Sequence, residues 1–217
     1  MEARAYIHLR LLALTAAAGC VDAACYLGLE QVFTANQTGN TVLLGIAVGE
    51  GSGHAVLRSS LSLGGFVAGV LIAAVALRGT PQGWRPRVAA VLALEAAVLA
   101  LIAALWEPLG VDALIVGLSV AMGLQSAAAQ RVGVPGVTTT FITGTLTRVA
   151  TRLVDRGDTP PERTPALSWL VYLLGAIAGG ALSRWTSDAL TIVAGAVLVA
   201  LSALPARAAA RRSRPTR

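Results

Sequence analysis

Charge is what this chain lacks most. Only 13% of its residues are Asp, Glu, Lys or Arg, against about 25% in an ordinary soluble domain. With 55% hydrophobic residues and a mean hydropathy of +0.71, it cannot cover a water-facing surface, which excludes a soluble globular fold. The ~10-residue alternating segments of a membrane β-barrel are missing too; Ala, Leu, Val and Gly run on continuously. Lysine is absent, so all 17 cationic residues are Arg. A net charge of +6 and a pI near 10.6 would suit a nucleic-acid binder. Most of these arginines, however, lie in short loops and the tail, as in cytoplasmic loops of membrane proteins, so no nucleic-acid partner is expected. The two cysteines, Cys20 and Cys25, are five apart on one helix and point about 140° apart; they are not expected to pair. His8 and His54 are too distant to form a metal pair, and no metal or cofactor is expected. Phosphate loop, paired-His helix and nucleophile elbow are all missing, so the chain reads as a non-enzyme. No cleavable signal peptide is evident, because the first apolar run is long and holds Asp22.

What is present is a series of apolar runs near the ~20 residues that cross a bilayer. The spans expected from them cover about 9–29, 56–77, 88–106, 111–130, 166–183 and 187–204. Residues 205–217 form a basic tail expected to be disordered. Trp84, Trp106, Trp169 and Trp185 lie near span ends, as interfacial anchors do. Two polar stretches interrupt the pattern. The first is Phe33-Thr34-Ala35-Asn36-Gln37-Thr38-Gly39-Asn40-Thr41, and the second is Val137 to Thr145. Each leads into a short apolar piece, giving segments 33–48 and 138–154. A helix from Gly39 to Val48 would be roughly 15 Å long at ~1.5 Å per residue, about half of a ~30 Å hydrocarbon core.

The halves repeat. Gly19 to Ala24 aligns with Gly123 to Ala128, Thr38-Gly39 with Thr143-Gly144, Leu61-Ser62 with Leu167-Ser168, Gly69 with Gly175 and Arg78 with Arg184. The offset drifts only from 104 to 106. Arginine placement then sets the topology. If both short segments cross, there are eight spans, with five arginines outside and twelve inside. If neither crosses, there are six, and only Arg58 and Arg184 lie outside, against fifteen inside. The positive-inside rule favours six. The expected fold is therefore all-α: six transmembrane helices plus two short re-entrant half-helices, one dipping in from each side. This makes an inverted 3+3 repeat, 1–106 and 107–204, with eight spans as the alternative. Both termini are expected in the cytoplasm of a bacterium, with the chain in its inner membrane.

These residues carry a resemblance. The pattern Gly19-x-x-Asp22-Ala23, then Val32 to Asn36, Thr38-Gly39-Asn40-Thr41 and Gly45, with Glu95 and Thr139-Thr140-Phe141-x-Thr143-Gly144-Thr145-Leu146, resembles the YoaK family of bacterial membrane proteins. Gln37 stands where that family more often has Met. The resemblance covers nearly the whole chain except the tail. It implies an integral membrane protein with six predicted spans and says little about chemistry.

Asp22 and Glu95 sit within apolar runs, where a carboxylate costs at least ~2.5 kcal/mol for Asp on insertion scales. They are the candidates for proton or ion coupling; the plainer alternative is a structural hydrogen bond to Asn36, Asn40 or Gln125. Thr38-Gly39-Asn40 and Thr143-Gly144-Thr145 would open two half-helices whose free N–H groups suit an anion or polar group, although Thr38 and Thr143 would cap their helices in any case. The expected substrate site is Asp22, Asn36, Thr38, Gly39, Asn40, Gln125, Thr139, Thr143 and Gly144. Arg148, Arg152 and Arg156 read better as a stripe at the lipid headgroups than as an anion mouth. Gly69-x-x-x-Ala73 and Gly175-x-x-x-Gly179 should let helices pack closely. The functional expectation is a transporter or channel for a small polar or anionic solute, with the bilayer, that solute and a possible homodimer mate as partners. A structural or sensory membrane protein is the alternative, and an intramembrane enzyme the third.

Overall fold

The computed structural model describes residues 2–134, 147, 151 and 163–204. The second polar stretch, the segment 138–154 built on it and the tail 205–217 lie outside the described residues. Seven helices make up most of the rest: α1 (Glu2–Gly28), α2 (Gln37–Glu50), α3 (Gly53–Ala76), α4 (Pro86–Ala104), α5 (Val111–Val132), α6 (Arg163–Trp185) and α7 (Asp188–Ala203). No strand occurs among the described residues. Five of the helices are long and apolar enough to cross a membrane; α7 is equally apolar but spans only 16 residues.

Local chemistry sets the helix ends. Pro86 opens α4, where its missing N–H would be unsatisfied anyway. Gly133 closes α5 with φ +73°, a left-handed conformation that favours glycine. The helix α1 extends seven residues before the apolar run that begins at Leu9, because backbone bonding continues past the point where hydropathy falls.

Contacts fix the helix directions. Gly28 of α1 lies beside Asp188 at the start of α7, while Arg10 donates to the Leu204 carbonyl at its end, so α1 and α7 are antiparallel. Gln125 of α5 donates to the Leu14 carbonyl. Arg58 in the first turns of α3 pairs with Glu30, just after α1, and lies 3.6 Å from Asp112 at the start of α5. The start of α4 meets the start of α1 through Trp84 and Arg10. Thus α1, α4 and α6 run one way and α3, α5 and α7 the other.

The principal helix pairs are α1 with α6 and α3 with α5, and both are parallel. In each, backbones approach so closely that a Cβ would not fit. A Cβ on Gly19 would stand 3.0 Å from Ala176 N and overlap the Tyr172 carbonyl; one on Gly123 would stand 2.9 Å from Val70 N and overlap the Phe66 carbonyl. A Cβ on Gly175 would come within 3.0 Å of Ala16 Cα, and one on Gly69 within 3.0 Å of Val120 Cα. Within lipid there is no hydrophobic gain from helix association, so dispersion at such close crossings does the holding. Large apolar side chains fill the centre, with Leu11, Leu14, Leu92, Leu99, Ile115, Leu118 and Ile192 inaccessible to solvent. Others, such as Leu71, Val75, Leu101 and Ile177, point outward. Helices apolar on every face belong in a bilayer.

Candidate functional site

After α1 the chain reverses. Glu30 and Gln31 have φ of +56° and +64°, two successive left-handed residues without glycine, each costing about 1 kcal/mol or more. The Arg58 ion pair holds Glu30 in place. Residues 32–36 then descend beside α1 to the level of Asp22, six residues, or about 9 Å, below Gly28. There α2 begins and runs back toward the start of α3.

Asp22 is buried and organises this descent. Its Oδ1 accepts from Thr34 N at 2.8 Å, Ala35 N at 2.7 Å and Thr34 Oγ1 at 3.3 Å. Its Oδ2 accepts from Asn36 N at 3.0 Å and from the Tyr172 hydroxyl of α6 at 2.6 Å. Five donors converge on one carboxyl group, so the backbone that cannot bond to itself bonds to α1.

Asn40 holds the other side of the same turn. Its amide accepts from Phe33 N at 3.0 Å and donates to Phe33 O at 2.7 Å, replacing the backbone partner that Phe33 lacks. Gln37 Oε1 and Ser62 Oγ of α3 lie 2.9 and 2.8 Å from the same NH2, so three acceptors share its two hydrogens. Ser62 in turn donates to Phe33 O and meets Ser119 Oγ of α5 at 2.9 Å. The Phe33 ring stacks on Tyr26, with centroids 4.9 Å apart. Gln37 donates to Thr34 O at 2.8 Å. One connected polar network therefore joins α1, the descending loop, α2, α3, α5 and α6.

The expected site residues divide in this geometry. Asp22, Asn36 and Asn40 come together. Asn36, not Thr38, caps α2: its side chain accepts from Gly39 N at 3.3 Å. Thr38 is exposed. Its backbone is already the second residue of α2, so the cap falls to the residue before Gln37. Gly39 packs against the Phe33 ring, where a Cβ would stand 2.9 Å away. Gln125 is elsewhere, bonded to Leu14, which lies eight residues and about 12 Å from Asp22 along α1. Glu95 is wholly buried in α4 and has no hydrogen bond to this network among the described residues. Thr139, Thr143 and Gly144 lie outside the described residues.

Three members were missed by sequence reasoning. Tyr172 stands 150 residues from Asp22. Ser62 was noticed only as a repeat position, and Ser119 carried no signal beyond being a hydroxyl in an apolar helix. Removing the Tyr172 hydroxyl should have a limited effect, because Asp22 keeps four donors. Tyr172→Phe is expected to cost about 1–2 kcal/mol, read as a small drop in the thermal midpoint of the purified protein.

Buried polar atoms without a partner sort by chemistry. Glu95 Oε1 and Oε2 and Gln125 Oε1 have no donor among the described residues. They share a level: Glu95 is nine residues, about 13 Å, from the start of α4, and Gln125 seven residues, about 10 Å, from the end of α5. Those helix ends adjoin, since Gly83 N donates to Arg131 O. Of the donors without a hydrogen bond, Arg10 Nε, Thr80 Oγ1, Trp84 Nε1 and Arg131 Nε lie at the end where α1 begins, while Arg58 Nε, at the opposite end, faces the Asp112 carboxylate at 3.6 Å.

The family described as "Protein of unknown function (DUF1275)" matches residues 10–204. The UPF0700 transmembrane protein YoaK of Bacillus subtilis (strain 168) is 37% identical over 191 residues, covering 82% of this chain and 84% of that protein. No solved structure matches the chain. With nearly its whole length matched, with a transmembrane relative at this identity and with five helices able to span, the chain is a multi-pass membrane protein belonging to the DUF1275 family.

Proposed function

We propose that the protein moves a small polar or anionic solute across the bacterial inner membrane, with the loop ahead of α2 forming part of the route. The observation that carries this reading is irregular backbone set inside a helical bundle. Residues 32–36 have no helix of their own, yet they bond to Asp22 of α1 and Ser62 of α3, which in turn meet Tyr172 of α6 and Ser119 of α5. At membrane depth such backbone is tolerated only where protein or a wet cavity satisfies it, and broken helices of this kind build transporter sites. On this reading α2 is a re-entrant half-helix, the six longer helices are the spans, and both termini are cytoplasmic.

The matched contacts support an inverted repeat. The glycines Gly19 and Gly123 are 104 residues apart; their respective partners Tyr172 and Phe66, and Ala176 and Val70, are 106 apart. Gly69 facing Val120 and Gly175 facing Ala16 follow the same two offsets. Thr139, Thr143 and Gly144 belong to the proposed second half-site. Glu95 and Gln125, as buried acceptors in want of a donor, are the groups assigned to a coupled proton or cation. No enzymatic reaction is assigned.

Flux in proteoliposomes tests this. The vesicles would be loaded with a panel of small carboxylates, inorganic anions and neutral polar solutes, with an entrapped pH dye as a second readout. At least one solute should move, and Glu95→Gln should lower its rate more than tenfold while the purified variant keeps its thermal midpoint. Full flux in Glu95→Gln removes that residue from the mechanism. No flux across the panel favours the second reading, a structural or sensory protein. Asp22 supports that alternative, since its oxygens are already engaged by five donors.

A further inference from the structure

At the end where α1 begins, the loop between α3 and α4 forms a donor-rich corner. Arg10 is 95% buried. Its guanidinium lies 4.2 Å from the centroid of the Tyr6 ring and 4.7 Å from that of Trp84. One of its nitrogens donates to the Tyr6 hydroxyl at 2.9 Å and to the Leu204 carbonyl. Arg131 donates to the Leu77 carbonyl at 3.1 Å, and its own carbonyl accepts from Gly83 N at 3.4 Å, next in sequence to Trp84. Thr80 is buried in the same loop. After these bonds, Arg10 Nε, Trp84 Nε1, Arg131 Nε and Thr80 Oγ1 are all still without a partner among the described residues. Among the described residues neither arginine has a carboxylate, and the ion pairs belong to Arg58 at the opposite end.

An arginine guanidinium and an indole N–H can donate but not accept. One buried and one half-buried positive charge, each with a spare donor and no counter-charge among the described residues, call for an anion with several acceptor oxygens. Aromatic rings and arginines at helix ends lie at the headgroup level of a bilayer, and basic pockets between helices bind anionic headgroups. We infer that this corner, formed by Arg10, Thr80, Trp84 and Arg131, binds the phosphate of an anionic phospholipid in the leaflet on that side. The loop between α3 and α4 would then be held at α1 and α5 partly through lipid.

Native mass spectrometry of the full chain in detergent tests this, with phosphatidylglycerol, phosphatidylcholine or inorganic phosphate added. Phosphatidylglycerol should stay bound about tenfold more tightly than phosphatidylcholine, and inorganic phosphate at the same concentration should not displace it. Trp84→Phe keeps the ring and Arg131→Lys keeps the charge, yet each should lose several-fold of that preference; Arg10→Gln should lose about tenfold, the usual scale for one charge-assisted hydrogen bond. If Arg10→Gln fails to fold, the other two variants carry the test. Arg87→Gln removes an exposed arginine at the same end and should change nothing. Equal retention of both lipids, displacement by inorganic phosphate, or an equal loss in Arg87→Gln overturns the assignment.

Discussion

Asp22→Asn should destabilise the protein by about 2–4 kcal/mol, more than its size suggests. Every group facing Asp22 is a donor: three backbone N–H groups and two hydroxyls. An asparagine amide offers one acceptor oxygen and one NH2. With the oxygen toward Thr34 and Ala35, the NH2 faces Asn36 N, and that N–H is stranded in the bundle. The Tyr172 hydroxyl can turn and accept, so it softens the loss without removing it. The descending loop would then lose its anchor on α1 while Asn40 still held Phe33. A thermal melt of the purified variant reads this directly, and an unchanged midpoint would show that the five contacts do not stabilise the loop. The result also bears on transport assays: lost flux in Asp22→Asn would report a lost loop, which is why Glu95→Gln is the cleaner probe of coupling.

Gly175→Ala is expected to be comparably harmful and for an unrelated reason. A single methyl there would meet Ala16 backbone atoms at 3.0 Å and overlap the Ala16 carbonyl. Neither side can yield except by separating α6 from α1. Overpacking of this kind costs typically 1–3 kcal/mol, and here it also loosens the crossing that brings Tyr172 to Asp22. Gly180 provides the control, since a Cβ at that position meets nothing within 4 Å. Gly180→Ala should leave the melt unchanged or raise it slightly, because Ala favours helix over Gly. Equal effects of the two substitutions would remove the close crossing as a source of stability.

Much of the helical layout was legible because hydropathy carries it. Runs of Leu, Val and Ala bounded by Gly, Pro and Arg placed the long helices to within a few residues, except at the start of α1, where polar Glu2 to Arg10 continues the helix. The polar box at 33–41, with Asn36 and Asn40 inside it, was legible as a break, and Asp22 as its companion on the first span. The sequence does not show which groups complete a buried hydrogen-bond set. Tyr172 resembles any interfacial aromatic until α6 is laid parallel to α1. Ser62 and Ser119 resemble hydroxyls that could bond their own helices, as Thr15 does with the Leu11 carbonyl. Asn36 was passed over as the cap because Thr38-Gly39 is the stronger local pattern. Nothing in the sequence separates Arg10 from the other arginines, yet the rings of Tyr6 and Trp84 draw its guanidinium into the protein.

The parallel pairing of α1 with α6 and of α3 with α5 also sets a timetable for biogenesis. Gly19 and its partner Tyr172 are separated by more than 150 residues. At synthesis rates of about 5–20 residues per second, α1 waits roughly 8–30 s for α6 to leave the ribosome. Until then the glycine face of α1 is bare, and the Oδ2 of Asp22 lacks its tyrosine. The loop that engages Oδ1 is made within the first few seconds, so Asp22 is partly capped long before the bundle can close. The newborn first half has no principal helix pair of its own to fold around, and its stability in the membrane depends on how long the insertion machinery shelters it.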